Sequence, residues 1–136
     1  MVPFAEENGP VWASQRDPRV TKVGRFLRFS HLDELPQLWN IFQGQMSFIG
    51  PRPERPQFHE VILQKVPRFE ERLQILPGLT GLAQVELGYA ADLEASTQKL
   101  SWDLKYIEQV APSLDFKILL KTLRVFGRAF LSKYEP

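Results

Sequence analysis

The chain has no cysteine. That excludes a disulfide scaffold, a thiolate zinc site and a cysteine nucleophile. Histidine is scarce: His31 and His59 have no third partner close in sequence, so a histidine-rich metal centre is not expected. A surplus of one charge is missing as well. Seventeen Lys and Arg face sixteen Asp and Glu. A strongly basic nucleic-acid binder would carry a clear excess, so any positive patch must come from local clustering and no nucleic-acid partner is expected. No run approaches the ~20 apolar residues of a membrane-spanning helix. The opening residues 1–7 carry acids where a signal peptide has a basic n-region, show no apolar h-region, and do not read as one. Composition alone reads as soluble and cytoplasmic.

What is present is ordinary for a globular chain. The 136 residues, 43% hydrophobic and 24% charged, suit one domain with a real core and exclude disorder or collagen-like repetition. Eleven prolines suggest short elements joined by many loops. Residues 1–15 read as an irregular lead-in, with a turn at Asn8-Gly9-Pro10 and an apolar anchor at Val11-Trp12. Arg16, Arg19, Lys22, Arg25 and Arg28 then recur every third residue among Val20, Val23, Phe26 and Leu27. That spacing places several cations on one broad helical face. Such a run is either a solvated face or, because it leads directly into Asp33-Glu34, an anion-binding one.

Leu35, Leu38, Trp39 and Phe42 predict a short amphipathic helix. Ser30 and Asp33 together resemble a capping box, but that start would put Pro36 inside the helix. With Asp33 as N-cap, Pro36 falls at the third position, where its missing N–H costs nothing. This second start is favoured; it sets Asp33 and Glu34 at the positive helix end, with Gly44 as the stop. Residues 46–49 are a strand candidate entering the stiff turn Gly50-Pro51-Arg52-Pro53. A helix is expected over 56–66, stopped by Pro67. Residues 76–81 form a turn-rich loop, and 82–85 a second short strand. Residues 94–110 read as a helix with Leu100, Leu104 and Ile107 on one face and Asp103 among them. Residues 114–130 read as a basic amphipathic helix. Phe116, Leu119, Leu120, Leu123 and Phe126 line one side; Lys117, Lys121, Arg124 and Arg128 flank it. That helix either packs on the core with its cations solvated or lies on an anionic bilayer surface. The expected class is α+β: one mainly helical domain over 1–136 with a small β-sheet or hairpin.

Adjacent carboxylates at a helix start commonly serve only as caps that complement the helix dipole. The surroundings of this pair are more specific. The stretch Asp17-Pro18-Arg19-Val20-Thr21-Lys22-Val23-Gly24-Arg25-Phe26-Leu27-Arg28 precedes Leu32-Asp33-Glu34-Leu35. Then come Pro36-Gln37-Leu38-Trp39-Asn40, Met46-Ser47-Phe48-Ile49-Gly50-Pro51-Arg52-Pro53, and Pro77-Gly78-Leu79-Thr80-Gly81-Leu82-Ala83-Gln84-Val85. In order and spacing these resemble the bacterial sugar transferases, the monotopic phosphoglycosyl transferases of polysaccharide assembly. The likeness runs from about Asn8 to Leu131.

The resemblance implies transfer of a phospho-sugar from a UDP-sugar to a polyprenyl (undecaprenyl) phosphate, with release of UMP, opening exopolysaccharide or O-antigen assembly. The position matching Asp33 is the family nucleophile, which carries a covalent phospho-sugar. The position matching Glu34 helps hold Mg²⁺, and the pair would accept Mn²⁺ as well; hard oxygen ligands suit both ions. Arg25, Arg28 and Arg52 are then phosphate contacts, with Pro51 and Pro53 limiting the backbone around Arg52. A rigid turn with Arg52 solvated is the plainer alternative. Thr80, Gly81 and Gln84 match a family loop near the active site. Gly78 and Gly81 are equally explained by backbone demands. Asp103 and Tyr106 match a family Asp-x-x-Tyr arrangement, against which stands a buried acid paired with an arginine for structure. His31 reads as a partly exposed filler, and Trp12, Trp39 and Trp102 as core or membrane-interface anchors.

Family members carry a hydrophobic re-entrant helix and a Lys-Phe-Arg-like segment before the catalytic part. This chain is expected to be an N-terminally truncated catalytic core. A separate chain or oligomer partner would supply the missing segment. Its expected place is peripheral, on the cytoplasmic face of the bacterial inner membrane, or cytoplasmic without that segment. After Gln84-Val85 the chain reads Glu86-Leu87-Gly88-Tyr89, where many relatives have an Asn and an Arg nearby, which leaves the sugar open. The rival reading is a non-catalytic remnant that binds a membrane surface or a partner subunit.

Overall fold

A computed structural model describes residues 2, 6, 7, 9, 11, 17–88 and 93–131, with only the backbone of 93, 94 and 128–131. Most of the lead-in, Trp12, Arg16, Tyr89 and the Arg128 side chain therefore lie outside the described residues.

Helix α1 (Lys22–Phe29) begins where the Thr21 hydroxyl accepts the Gly24 N–H at 3.1 Å, a side-chain cap for one orphan donor. It ends at Ser30, whose hydroxyl turns back to the Phe26 carbonyl at 2.9 Å. Ser30 therefore closes one helix and does not open the next. Arg19 also leaves the expected cationic face. It sits in the turn before α1, with its guanidinium on Asp17 at 2.6 Å and on Glu6 at 3.4 Å. The hydrogen bond from the Arg19 side chain holds the Asp17 carboxyl down at about 2.

His31 takes the left-handed conformation, φ 54°, and redirects the chain into a single turn of 3-10 helix, Leu32–Glu34. Helix α2 (Leu35–Phe42) follows directly. Its cap is thus Glu34 and not Asp33, with Pro36 inside the first turn and no side-chain cap bond. The tighter 3-10 turn takes up the residues that an Asp33-capped α-helix would have used. Gly44, at φ 73°, is where the helix stops.

Strands β1 (Ser47–Ile49) and β2 (Gly78–Thr80) form a two-stranded parallel sheet, Ser47 opposite Gly78 and Ile49 opposite Thr80. The sheet is real but is no hairpin, because α3 (Pro56–Lys65) and a 3-10 segment (Pro67–Gln74) cross between the strands. The expected strand over 82–85 is in fact helix α4 (Leu82–Leu87). Extended Gly81 ends the strand stretch one residue earlier, and Leu82 and Ala83 turn into the core. Helices α5 (Leu93–Glu108) and α6 (Pro112–Leu131) complete the chain close to their expected bounds.

Two apolar clusters hold these elements. Phe58 and Ile62 of α3 meet Phe69 and Leu100, with Leu63, Val66 and Leu104 around them. Leu82, Tyr106 and Ile118 form the second, with Ile49, Ile75, Val85, Trp102 and Leu114. Helices α1 and α2 bury no residue at all. Helix α6 has three sides: Ile118 faces the core, Phe116, Leu119, Leu120, Leu123 and Phe126 are exposed, and Lys117 and Arg124 are exposed beside them. The core-packed alternative thus holds only for the Ile118 side. No helix among the described residues is long and apolar enough to cross a membrane.

Candidate active site

The Pro-Arg-Pro turn meets the adjacent carboxylates. Arg52 Nη2 donates to Glu34 Oε1 at 2.7 Å, with both side chains partly covered. Two segments far apart in sequence thus bring a guanidinium and two neighbouring carboxyl groups to one place. Asp33 is exposed beside Glu34 on the same 3-10 turn. Pro51 is buried and anchors the turn, while Pro53 is exposed. A cleft of about 340 Å³ opens along it, lined in part by Arg52, Pro53, His59, Arg72 and Pro77.

The turn is positioned by backbone-on-backbone packing. A Cβ on Gly78 would lie 2.1 Å from the Gly50 nitrogen, and one on Gly81 would lie 2.1 Å from the Gly50 oxygen. No side chain fits at either point, so these glycines are required for approach. The Gly50 N–H donates to the Thr80 carbonyl at 2.9 Å and the Gly78 N–H to the Pro51 carbonyl at 2.9 Å, which ties the turn to β2.

Thr80 is fastened to α6. Thr122 gives its single hydroxyl hydrogen to the Ile118 carbonyl at 2.9 Å, so in the 2.8 Å contact between the two hydroxyls Thr80 is the donor. Gln84 donates weakly to the Leu79 carbonyl at 3.3 Å, while its Oε1 is buried without a partner. A buried acceptor without a partner is costly.

Asp103 is buried, and its Oδ2 lies 2.9 Å from Arg72 Nη2. Burial pushes its carboxyl up to about 6, against the pull of Arg72. This is the acid–arginine pair weighed from the sequence, and Arg72 links it to the turn. Tyr106 points elsewhere: it belongs to the second cluster, and its hydroxyl donates to Asp115 Oδ1 at 2.7 Å. Burial and that acceptor raise the phenol above its usual range. Arg25 and Arg28 lie on α1, and no hydrogen bond or ion pair among the described residues joins either to Asp33, Glu34 or Arg52. His31 packs its ring on Phe126 of α6 at 4.4 Å. Sequence reasoning missed Arg72. Within Arg68-Phe69-Glu70-Glu71-Arg72 it looks like one more solvated charge, and only the acid on the apolar face of α5 signalled that some arginine must be buried.

Among the described residues no three His, Cys, Asp or Glu side chains converge as a metal cage. Asp33 and Glu34 offer hard oxygens on consecutive residues. That donor set fits Mg²⁺, which binds through one or two carboxylates and completes its shell with water and substrate phosphate.

Comparison with known proteins places the chain in a family. The bacterial sugar transferase family model matches residues 1–129. The chain is 40% identical, over 93% of its length, to the UDP-N-acetylgalactosamine-undecaprenyl-phosphate N-acetylgalactosaminephosphotransferase of Aeromonas hydrophila, covering 30% of that protein. It is 41% identical over 86% of its length to the UDP-glucose:undecaprenyl-phosphate glucose-1-phosphate transferase of Caulobacter vibrioides, covering 45% of it. The Escherichia coli protein of the same name is 42% identical over 82% of the chain, which covers 24% of that relative. The chain thus spans less than half the length of these relatives. With the dyad, the Pro-Arg-Pro turn and the Gly78–Gly81 loop all meeting at one point, and the family model matching from end to end of the described core, this chain belongs to the bacterial sugar transferase family.

Proposed function

We propose that this chain is the catalytic core of a phosphoglycosyl transferase that moves a phospho-sugar from a UDP-sugar to undecaprenyl phosphate. The observation that carries the proposal is the contact between Arg52 and Glu34 beside exposed Asp33. A guanidinium next to two carboxylates provides a phosphate contact, an oxygen ligand and a nucleophile within one small region.

In the first step an Asp33 carboxylate oxygen attacks the phosphorus that bears the sugar. The new oxygen–phosphorus bond forms as the diphosphate bridge breaks, and UMP leaves with the bonding pair. In the second step a phosphate oxygen of the polyprenyl acceptor attacks the same phosphorus and the Asp33 carboxylate departs, giving the polyprenyl-diphospho-sugar. Glu34 and Asp33 would hold Mg²⁺, which when bound neutralises diphosphate charge that would otherwise repel the nucleophile. Arg52 exchanges Glu34 for a substrate phosphate, so its charge stays paired before and after binding. Arg25 and Arg28 add positive potential at the approach from α1.

The acceptor is a membrane lipid. The exposed apolar side of α6, with Lys117 and Arg124 alongside, supports a peripheral position on the cytoplasmic face of the inner membrane. Relatives named for glucose and for N-acetylgalactosamine are equally similar to this chain, so the donor class is a UDP-hexose or UDP-N-acetylhexosamine. The non-catalytic alternative has no use for the converging dyad and turn.

The test is a sugar-labelled UDP-sugar, given to the chain alone and to the chain joined behind the membrane segment of a relative. The expected outcome is label fixed covalently on the protein, with UMP released before any lipid acceptor is added. Asp33→Asn removes label and UMP together, and Glu34→Gln slows both. A folded Asp33→Asn protein that still takes up label, or no UMP from either parent form, overturns the proposal.

A further inference from the structure

Arginine is seldom fully buried, because its charge must be repaid by partners. Arg72 is buried on the Pro67–Gln74 segment, as is its counter-ion Asp103 on α5. Replacing such a pair with apolar residues is often neutral or stabilising, so the pair is weak evidence of a stabilising role. Its geometry is also poor for that purpose. Arg72 Nε has no hydrogen-bond partner, and the 2.9 Å contact with Asp103 Oδ2 is off hydrogen-bond geometry. Among the described residues, the well-formed hydrogen bond of the Arg72 guanidinium goes elsewhere: Nη2 donates to the Arg52 carbonyl at 2.6 Å.

That carbonyl lies between two prolines. Pro51 and Pro53 have fixed φ, and a residue before proline is itself confined to extended backbone. Once the Arg52 carbonyl is pinned, little backbone freedom remains in the turn. The Arg52 side chain leaves this fixed base for Glu34, 2.7 Å from its guanidinium. Beneath Arg72 the Phe69 ring, 4.7 Å from Cζ, keeps the guanidinium plane in place.

We propose that Arg72, braced by Asp103, is a positioning residue: by pinning the Arg52 carbonyl it holds the Arg52 guanidinium at Glu34. Asp103 then serves the reaction at one remove, through Arg72 and the turn. The inference rests on the reading of Arg52 and Glu34 as substrate-binding groups.

Nitrogen NMR of the arginine Nε–Hε groups, with calorimetry of magnesium–UDP binding, tests it. The variant R72M/D103L removes both buried charges together and avoids leaving either unpaired. The expected result is a folded protein in which the Arg52 signal moves to the solvent-averaged position, the shift also expected of E34Q, while exposed Arg68 is unmoved. Magnesium–UDP affinity falls about tenfold, and the same changes in an R52A background cause no further loss. If R72M/D103L does not fold, R72M/D103N, which also removes both charges and the donor to the Arg52 carbonyl, provides the same comparison. An unchanged Arg52 signal in the folded variant, or an equal affinity loss with and without Arg52, overturns the proposal. A parent chain that binds no magnesium–UDP, yet whose Arg52 signal responds, overturns the substrate reading and leaves the positioning role standing.

Discussion

Between β1 and α5 the aromatic side chains of Phe58, Phe69 and Tyr106 are buried, whereas Phe26 on α1, Trp39 and Phe42 on α2 and Phe116 on α6 face solvent. Both regions obey the same helical periodicity of apolar residues, so the pattern alone does not say what an apolar stripe meets. In α3 and α5 the stripe meets the chain itself. In α2 and on the outer side of α6 it is largely exposed among the described residues, although the Phe126 ring touches His31 and so joins the α6 surface to the Asp33-Glu34 turn. Exposed apolar side chains on this scale are what a docking surface would need. Under the proposed function the surfaces that hold the fold and those that approach the lipid acceptor are therefore different faces, and α6 carries both: Ile118 in the core and Phe116, Leu119 and Leu123 outside it. The dyad lies between them.

The largest effect expected from this division is on stability. Ile62→Ala or Ile118→Ala, each at a fully buried position, should cost about 2–5 kcal/mol in denaturant unfolding. Values near zero would mean that the two clusters are not the core.

A second test is pH. Asp103 is raised from 3.8 to about 6, so the folded state binds the extra proton between those values. Its contribution to stability is full below about 4 and is lost as pH rises to about 6, a fall of about 3 kcal/mol. Asp103→Asn should flatten that part of the profile. Glu6, held down at about 2 chiefly by its hydrogen bonds with Arg55, and Asp17 act in the opposite sense. Their contributions are present above the ordinary carboxylate range and disappear as pH falls toward 2. A profile that rises steadily from pH 4 to 6 in the parent would contradict the buried placement of Asp103.

The smallest stability effect is expected where the exposed stripe is changed. Phe42 is 80% exposed, and Phe42→Ser or Leu123→Ser should alter unfolding by no more than about 0.5 kcal/mol. The same variants should weaken co-sedimentation with anionic vesicles. Binding of the parent should itself fall with salt, since charges are screened beyond ~10 Å at 0.1 M. Variants that lose stability but not vesicle binding would reverse the comparison.

Much of this was legible in the residues. Pro56 and Pro67 bracket α3, and the long periodic stretches of α5 and α6 fall where their spacing predicts. The dyad and the Pro-Arg-Pro turn were found from motif resemblance, and the fold brings them together. The errors are of two kinds, contacts between distant segments and one local bend. Residues 82–85 carry no mark that separates a short strand from a buried helix, and the pairing of Gly78-Leu79-Thr80 with β1 depends on Gly50 lying against Gly78, a contact between distant segments. Asp33 lost the cap to Glu34 because His31 bends the backbone into a tighter turn than an α-helix start. Arg72 was hidden because burial of a charge is decided by its partners, and Asp103 and the Arg52 carbonyl arrive from other parts of the chain.

The parallel pairing of β1 with β2 also bears on the order in which the molecule assembles. Its two three-residue strands close a loop that contains all of α3 and the Pro67–Gln74 segment, so the closure entropy must be met before the strand bonds form. The contacts of α3 with Phe69 are local by comparison and can form early. The Pro-Arg-Pro turn, hung from the ends of those strands, is then among the last parts to assemble and the first to open. Amide exchange at Ser47 and Gly50, whose N–H groups bond across to Pro77 and Thr80, would report that opening at free energies below global unfolding. The Pro-Arg-Pro turn can thus loosen while the helical core beneath it stays closed.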